Sequence, residues 1–149
     1  MDMNPPDLTK YPPRSPRVRL GGYVMLPRML DKGRATVSGL QGEYKYNCPM
    51  DQHFLKFTGV DPELLKQQLA TGQSDAEMLA WITAHSTTQP TPCAIAAWSA
   101  YMEHRGPADV EGRGFFQAAH QKLAPHREDV ATWFDLLDLD DFVTFGGRP

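Results

Sequence analysis

Apolar residues recur at helical spacing along most of the chain, separated by short polar stretches that carry Gly or Pro. After Gly21-Gly22, the stretch Tyr23 to Val37 predicts a helix with Met25, Met29, Lys32 and Thr36 on one face and Leu26, Leu30 and Val37 beside it. Pro27 either stands at its first turn or kinks it. Ser38 to Asn47 holds two glycines and the alternating Tyr44-Lys45-Tyr46, a loop or a short strand. Met50 to Thr58 sets Met50, Phe54 and Phe57 at helical spacing, and Gly59 stops the helix. Asp61-Pro62-Glu63 reads as an N-cap with proline in the first turn of a helix that Gly72 closes. Ser74-Asp75-Ala76-Glu77 is a capping box ahead of Met78, Leu79 and Ile82. Thr91-Pro92 opens a helix through Ala94, Ile95, Trp98, Tyr101 and Met102, with Gly106-Pro107 as its stop. Asp109 opens another through Phe116, Ala119 and Leu123, ending near Pro125. The last is expected from about Arg127 to Leu139, with Val130, Phe134 and Leu137 on one stripe and Trp133 and Leu136 widening it.

Six or seven mostly short helices with short connections and no internal repeat predict an all-α, compact single-domain helical bundle over residues 17–149. Ahead of it, residues 1–16 carry five prolines, which restrict φ and remove backbone donors, so this stretch reads as an extended Pro-rich arm that Leu8 and Tyr11 can anchor.

Length and composition narrow the classes. The chain has 149 residues, enough to bury one hydrophobic core. Its longest apolar run, Cys93 to Trp98, is six residues and too short to span a bilayer, and no apolar signal region follows Met1. Two cysteines, Cys48 and Cys93, provide no disulfide framework and suit a reducing cytoplasm. No GxGxxG, Walker loop or GxSxG is present, so no cofactor is implied. The net charge of −3 argues against a nucleic-acid partner. The helices over 61–105 loosely suggest a helix-turn-helix, but that span holds Lys66 and Arg105 against five acids, the wrong sign for DNA.

That net charge conceals a segregation. Residues 1–50 carry eight bases and four acids, whereas residues 51–149 carry seven and fourteen. Arg17, Arg19 and Arg28 are candidates to hold an anionic group, because guanidinium forks match carboxylate and phosphate. The plainer reading docks the basic arm on the acidic run Glu128 to Asp141, through pairs worth about 0–1 kcal/mol each when exposed. Arg28 stands apart on an apolar-rich helix, where a buried charge needs a partner. If it serves a ligand, Arg28→Ala leaves the melting temperature nearly unchanged; a collapse marks a structural ion.

Acid–base chemistry has its candidates in Asp31, Tyr46, Asp51 and His53, with the thiol of Cys48 close by. Asp51, near a helix start, also suits a plain capping role. Cys48 as nucleophile would need His53 as base, and Cys93 lies near a helix N-terminus, though a buried, inert cysteine is the commoner case. No metal is predicted: the five histidines never fall in HxH, HxxxH or HExxH spacing, and the acidic run from Asp138 lacks the Gly and Glu of a calcium loop. Trp98, Tyr101, Phe115, Phe116, Trp133 and Phe134 can line an aromatic pocket, although aromatics at helical spacing more often form core.

Four stretches taken together, Pro12 to Tyr23, Leu26 to Lys32, Tyr46 to Asp51 and Thr132 to Asp138, resemble a bacterial single-domain family known only as a domain of unknown function, number 5069 in its series. The resemblance runs over nearly the whole chain and implies a stand-alone bacterial domain, with no catalytic residue carried over. Two expectations follow from the residues themselves. One is a cytoplasmic domain binding an anionic small molecule where segment 17–31 meets segment 46–53, as a binding protein or as an enzyme using these acid–base residues. The other is a non-catalytic interaction or scaffold domain that docks on a protein partner.

Overall fold

One helix at the centre takes charge inside along with its apolar side chains. In the computed structural model, which describes residues 4–149, α1 (Leu26–Val37) buries Leu26, Met29, Leu30 and Ala35 together with Arg28, Asp31 and Lys32. In chain order it is followed by α2 (Pro49–Thr58), α3 (Pro62–Leu69), α4 (Asp75–His85), α5 (Pro92–His104), α6 (Val110–Leu123) and α7 (Trp133–Thr144). The fold of the described residues is all-α. The single β-bridge among them joins Leu20 to Tyr23.

That bridge explains why α1 begins at Leu26 and not at the expected Tyr23. Gly21 and Gly22 both have positive φ, 58° and 85°, which closes a two-residue hairpin turn in which Leu20 and Tyr23 exchange backbone hydrogen bonds of 3.0 Å. Met25, fully buried, then takes a left-handed φ of 69° before the helix starts, and its N–H donates to the Pro16 carbonyl at 2.8 Å.

The principal core joins α1 to α2, α3 and α4 through Leu26, Met29, Leu30, Phe54, Leu65 and Ile82. Tyr23, Phe54, Phe57 and Trp98 interlock within it, Phe57 and Trp98 stacking at 5.1 Å. A separate cluster, Phe116, Ala124, Val130, Leu136 and Leu139, holds α6 against α7, while Val24, Met25, Met102 and Phe134 connect the two regions. The aromatics therefore divide: Trp98, Phe116 and Phe134 are core, whereas Tyr101 and Phe115 are exposed.

The last helix departs most from its expected bounds. It begins at Trp133 because Thr132 and Asp135 form a reciprocal capping box there, and it runs on to Thr144. Asp138, Asp140 and Asp141 consequently lie within the helix, and Asp141 faces the interior, 6% exposed.

Gly59 ends α2 with φ 70°, its N–H donating to the Leu55 carbonyl, and a Cβ there would overlap the Thr87 hydroxyl. Gly59→Ala is expected to cost about 1–2 kcal/mol for the left-handed backbone alone, and more for the overlap. Urea denaturation checks this; an unchanged midpoint would refute it.

The segment preceding α1 lies on the bundle. Leu8 is buried and its N–H donates to Leu40 O at 2.9 Å, and Pro13 and Pro16 are buried as well. Tyr11 stays about half exposed. The first three residues of the expected arm lie outside the described residues.

Candidate functional site

The side chains singled out in the sequence mostly find partners within the chain. Arg17 pairs with Asp135 and, at 3.0 Å, with Asp138 of α7, whose carboxylate also accepts from Ser15 at 2.8 Å. Arg19 pairs with Glu103 of α5 at 2.6 Å. The basic segment ahead of α1 thus rests on carboxylates of its own chain.

Arg28 reaches across the interior to Asp141, with contacts of 2.7 and 3.1 Å, and Tyr44 donates its hydroxyl to the same carboxylate at 2.7 Å. Burial lowers the Arg28 pKa, but the Asp141 carboxylate outweighs this and holds it above its ordinary value. Its guanidinium carbon also stands 5.5 Å from the centre of the Tyr44 ring. Asp31 accepts two contacts from Arg14, at 2.9 and 3.0 Å, and Arg14 continues to Asp75, which Arg34 also holds at 2.8 Å. Burial raises the Asp75 carboxyl, yet the two guanidiniums prevail and keep it below its ordinary value of 3.8.

Asp51 is fully buried against the Lys32 ammonium at 2.9 Å and accepts the Asn47 N–H at 3.0 Å. Tyr46 donates its hydroxyl to the Pro62 carbonyl at 2.7 Å. Burial, with the Asp51 charge second, pushes the phenol well above its ordinary range, which keeps it protonated. Asp31, Tyr46 and Asp51 are therefore engaged at separate points around α1 and are not gathered with Arg17, Arg19 and Arg28 into one cavity.

His53 is the exception. It lines a cavity of about 330 Å³ together with Cys48, Pro49 and Met50 from the start of α2, Arg105 after α5, Phe115 of α6 and Trp133 of α7. Local sequence places each of them. Cys48 is the N-cap of α2 with proline following, which aims the first turn of that helix at the space. The N–H of Trp133 donates to the Arg105 carbonyl at 3.1 Å, tying the start of α7 to the end of α5.

Arg105 is half-buried, and its guanidinium makes a 3.9 Å contact with the Met50 sulfur. It belongs to none of the ion pairs among the described residues. The Trp133 indole N–H is buried with no acceptor. Cys48 Sγ accepts from Lys32 Nζ at 3.3 Å, whereas Cys93 is exposed at the start of α5, outside the cavity.

Burial, and then the positive charges of Arg105 and Lys56, hold the His53 imidazole below its ordinary value of 6.5. It is therefore mostly neutral at pH 7, with one ring nitrogen free to accept. An NMR titration is expected to place His53 below that value, and Arg105→Ala is expected to move it upward. A His53 that titrates identically in both proteins would dissociate the two groups.

A second cavity, about 340 Å³, is lined by Arg17, Arg127, Asp129, Asp135 and Asp138. Its two guanidiniums are already engaged by the three carboxylates, so an incoming anion would face repulsion there. Among the described residues no group of three His, Cys, Asp or Glu is placed to hold a metal ion.

The local sequence does not mark Arg105 as a site residue, nor does it bring Phe115 and Trp133 to His53. One signal was available: Arg105 is the only Lys or Arg between Lys66 and Arg113.

The fold and cavity define an all-α domain with a charged central helix and a small, largely apolar pocket beside it. Residues 10–143 match the family model described as Domain of unknown function (DUF5069), and the chain belongs to that family. No curated protein matches it.

Proposed function

We propose that this chain is a bacterial, cytoplasmic domain that binds a small anionic molecule in the cavity between α2, α5, α6 and α7, with Arg105 holding the negative charge and His53 accepting or returning a proton on the bound molecule. The observation that carries this reading is the half-buried Arg105, whose guanidinium meets the Met50 sulfur in a largely apolar lining that holds no carboxylate. Such a charge has lost part of its hydration, and an anionic ligand restores it through short, charge-assisted hydrogen bonds. The two unpaired cysteines support a reducing compartment, and the family resemblance supports a bacterial source.

The test is a ¹H–¹⁵N titration with acetate, phenylacetate and inorganic phosphate, repeated on Arg105→Ala. Shifts confined to His53, Arg105 and the Trp133 indole, and abolished in the variant, are expected. Shifts centred on Arg17 and Asp135 instead, or none with any anion, would overturn the assignment. A non-catalytic docking role is the second reading, favoured by the exposure of Val110 and Phe115 on α6. It gains if no anion shifts the cavity.

A further inference from the structure

We infer that the cavity selects a small aromatic monocarboxylate: a single ring lying between Phe115 and Met50 against Trp133, with its carboxylate on Arg105. This rests on the anion-binding reading above and narrows it. Three features of the lining carry it.

The first is size. About 330 Å³ stands at the lower end of the roughly 300–1,000 Å³ usual for ligand sites, with room for one ring and a short acid arm.

The second is charge. Arg105 supplies one planar fork, which matches a carboxylate in two parallel hydrogen bonds. The other ionisable groups of the lining are the neutral His53 and the Cys48 thiol. A phosphate dianion would bring a second charge that no group of the lining answers.

The third is the aromatic wall. Phe115 is 67% exposed, and its ring centre lies 6.3 Å from that of Trp133 at a tilt of 39°. This is neither a face-to-face stack nor a full edge-on contact, so the facing surfaces of the two rings are incompletely used. A flat ring entering beside Phe115 would cover exposed apolar surface there, and Met50 adds a polarisable sulfur to the same wall. Trp133 lines the same wall, so its indole N–H resonance reports a ring that enters there.

The experiment compares phenylacetate, acetate, inorganic phosphate and benzyl alcohol on the full chain by calorimetry, with the Trp133 indole N–H followed by NMR. Phenylacetate is expected to bind at least tenfold more tightly than acetate or phosphate and to move the Trp133 indole resonance. Benzyl alcohol, which keeps the ring without the charge, is expected to bind at least tenfold more weakly than phenylacetate. Phe115→Ala lies on the surface and leaves the core intact; it is expected to weaken phenylacetate roughly threefold to tenfold, the worth of one ring contact, while acetate is unaffected. Acetate or phosphate binding as well as phenylacetate would overturn the aromatic preference and leave the anion site standing. Benzyl alcohol binding as well as phenylacetate would overturn both, as would the absence of binding by every anion.

Discussion

Replacing Asp51 by alanine is expected to destabilise the protein by about 3–5 kcal/mol, a fall in Tm of roughly 6–20 °C for a domain of this size. The Asp51 side chain is 0% exposed and that of Lys32 only 4%, so the pair sits where neither charge can be rehydrated. Removing the carboxylate leaves the ammonium with the weak Cys48 sulfur as its remaining side-chain acceptor and deprives the Asn47 N–H of its partner. Asp51→Asn retains an acceptor and loses the charge, which places it between the parent and the alanine variant. Lys32→Met with Asp51→Leu removes both charges at similar volume, and its stability is expected to recover to within about 1–2 kcal/mol of the parent. Thermal and urea melts of the four proteins check the series. A single Asp51→Ala variant with parental stability would show that the ion pair does not hold α1 to α2.

Arg28→Ala is expected to cost a similar amount, about 3–5 kcal/mol, through a different set of contacts. The guanidinium makes a two-pronged contact with Asp141, and the side chains are 4% and 9% exposed. It also donates to the Arg14 carbonyl at 3.3 Å, so one side chain joins the segment preceding α1, α1 itself and α7. Truncation would leave the buried Asp141 with the Tyr44 hydroxyl as its remaining side-chain donor. Lysine is not an adequate replacement, because a single ammonium cannot reproduce the planar fork or its approach to the Tyr44 ring. Arg28→Lys is therefore expected to recover less than half of the loss. Hydrogen exchange gives an independent reading: Arg28→Ala should release protection at the Met25 N–H, which donates to Pro16 O, before it releases that of α4. Unchanged protection in both regions would contradict the bridging role.

Helix starts were legible wherever a short-range signal sets them. Asp61-Pro62, the Ser74 to Glu77 capping box and Thr91-Pro92 each satisfy orphan N–H groups from within four residues, and α3, α4 and α5 begin there. The start of α7 was misjudged although its signal, Thr132 with Asp135, is of the same kind. The apolar stripe that begins at Val130 drew the expected helix upstream, and Val130 instead packs from the preceding loop into the α6–α7 cluster. The start of α1 lies three residues past the expected Tyr23: the Gly21-Gly22 turn takes Tyr23 into the bridge, Met25 adopts a left-handed backbone, and Pro27 stands in the first turn.

Candidate chemistry was legible to a lesser degree. The residue types of a site were recognised around Cys48 and His53, because thiol, imidazole and carboxylate crowd a helix start. Which of them remain available depended on partners far along the chain. Asp51 is taken by Lys32, nineteen residues earlier, and Arg28 by Asp141, 113 residues later. Arg105 was passed over for the opposite reason: a lone cation invites no comment until its surroundings prove to hold no acid.

The sequence by itself determined the class of this protein: its helical periods and caps specify an all-α domain, and its composition separates a basic N-terminal segment from an acidic remainder. Those properties are set within a few residues or by bulk composition. The tertiary structure alone decided which charges are consumed and which is left over. Pairing of buried ions is a competition among all groups brought within a few ångströms, and only the packed bundle shows that Arg28 and Lys32 of α1 are held by Asp141 and Asp51 while Arg105 enters no ion pair among the described residues.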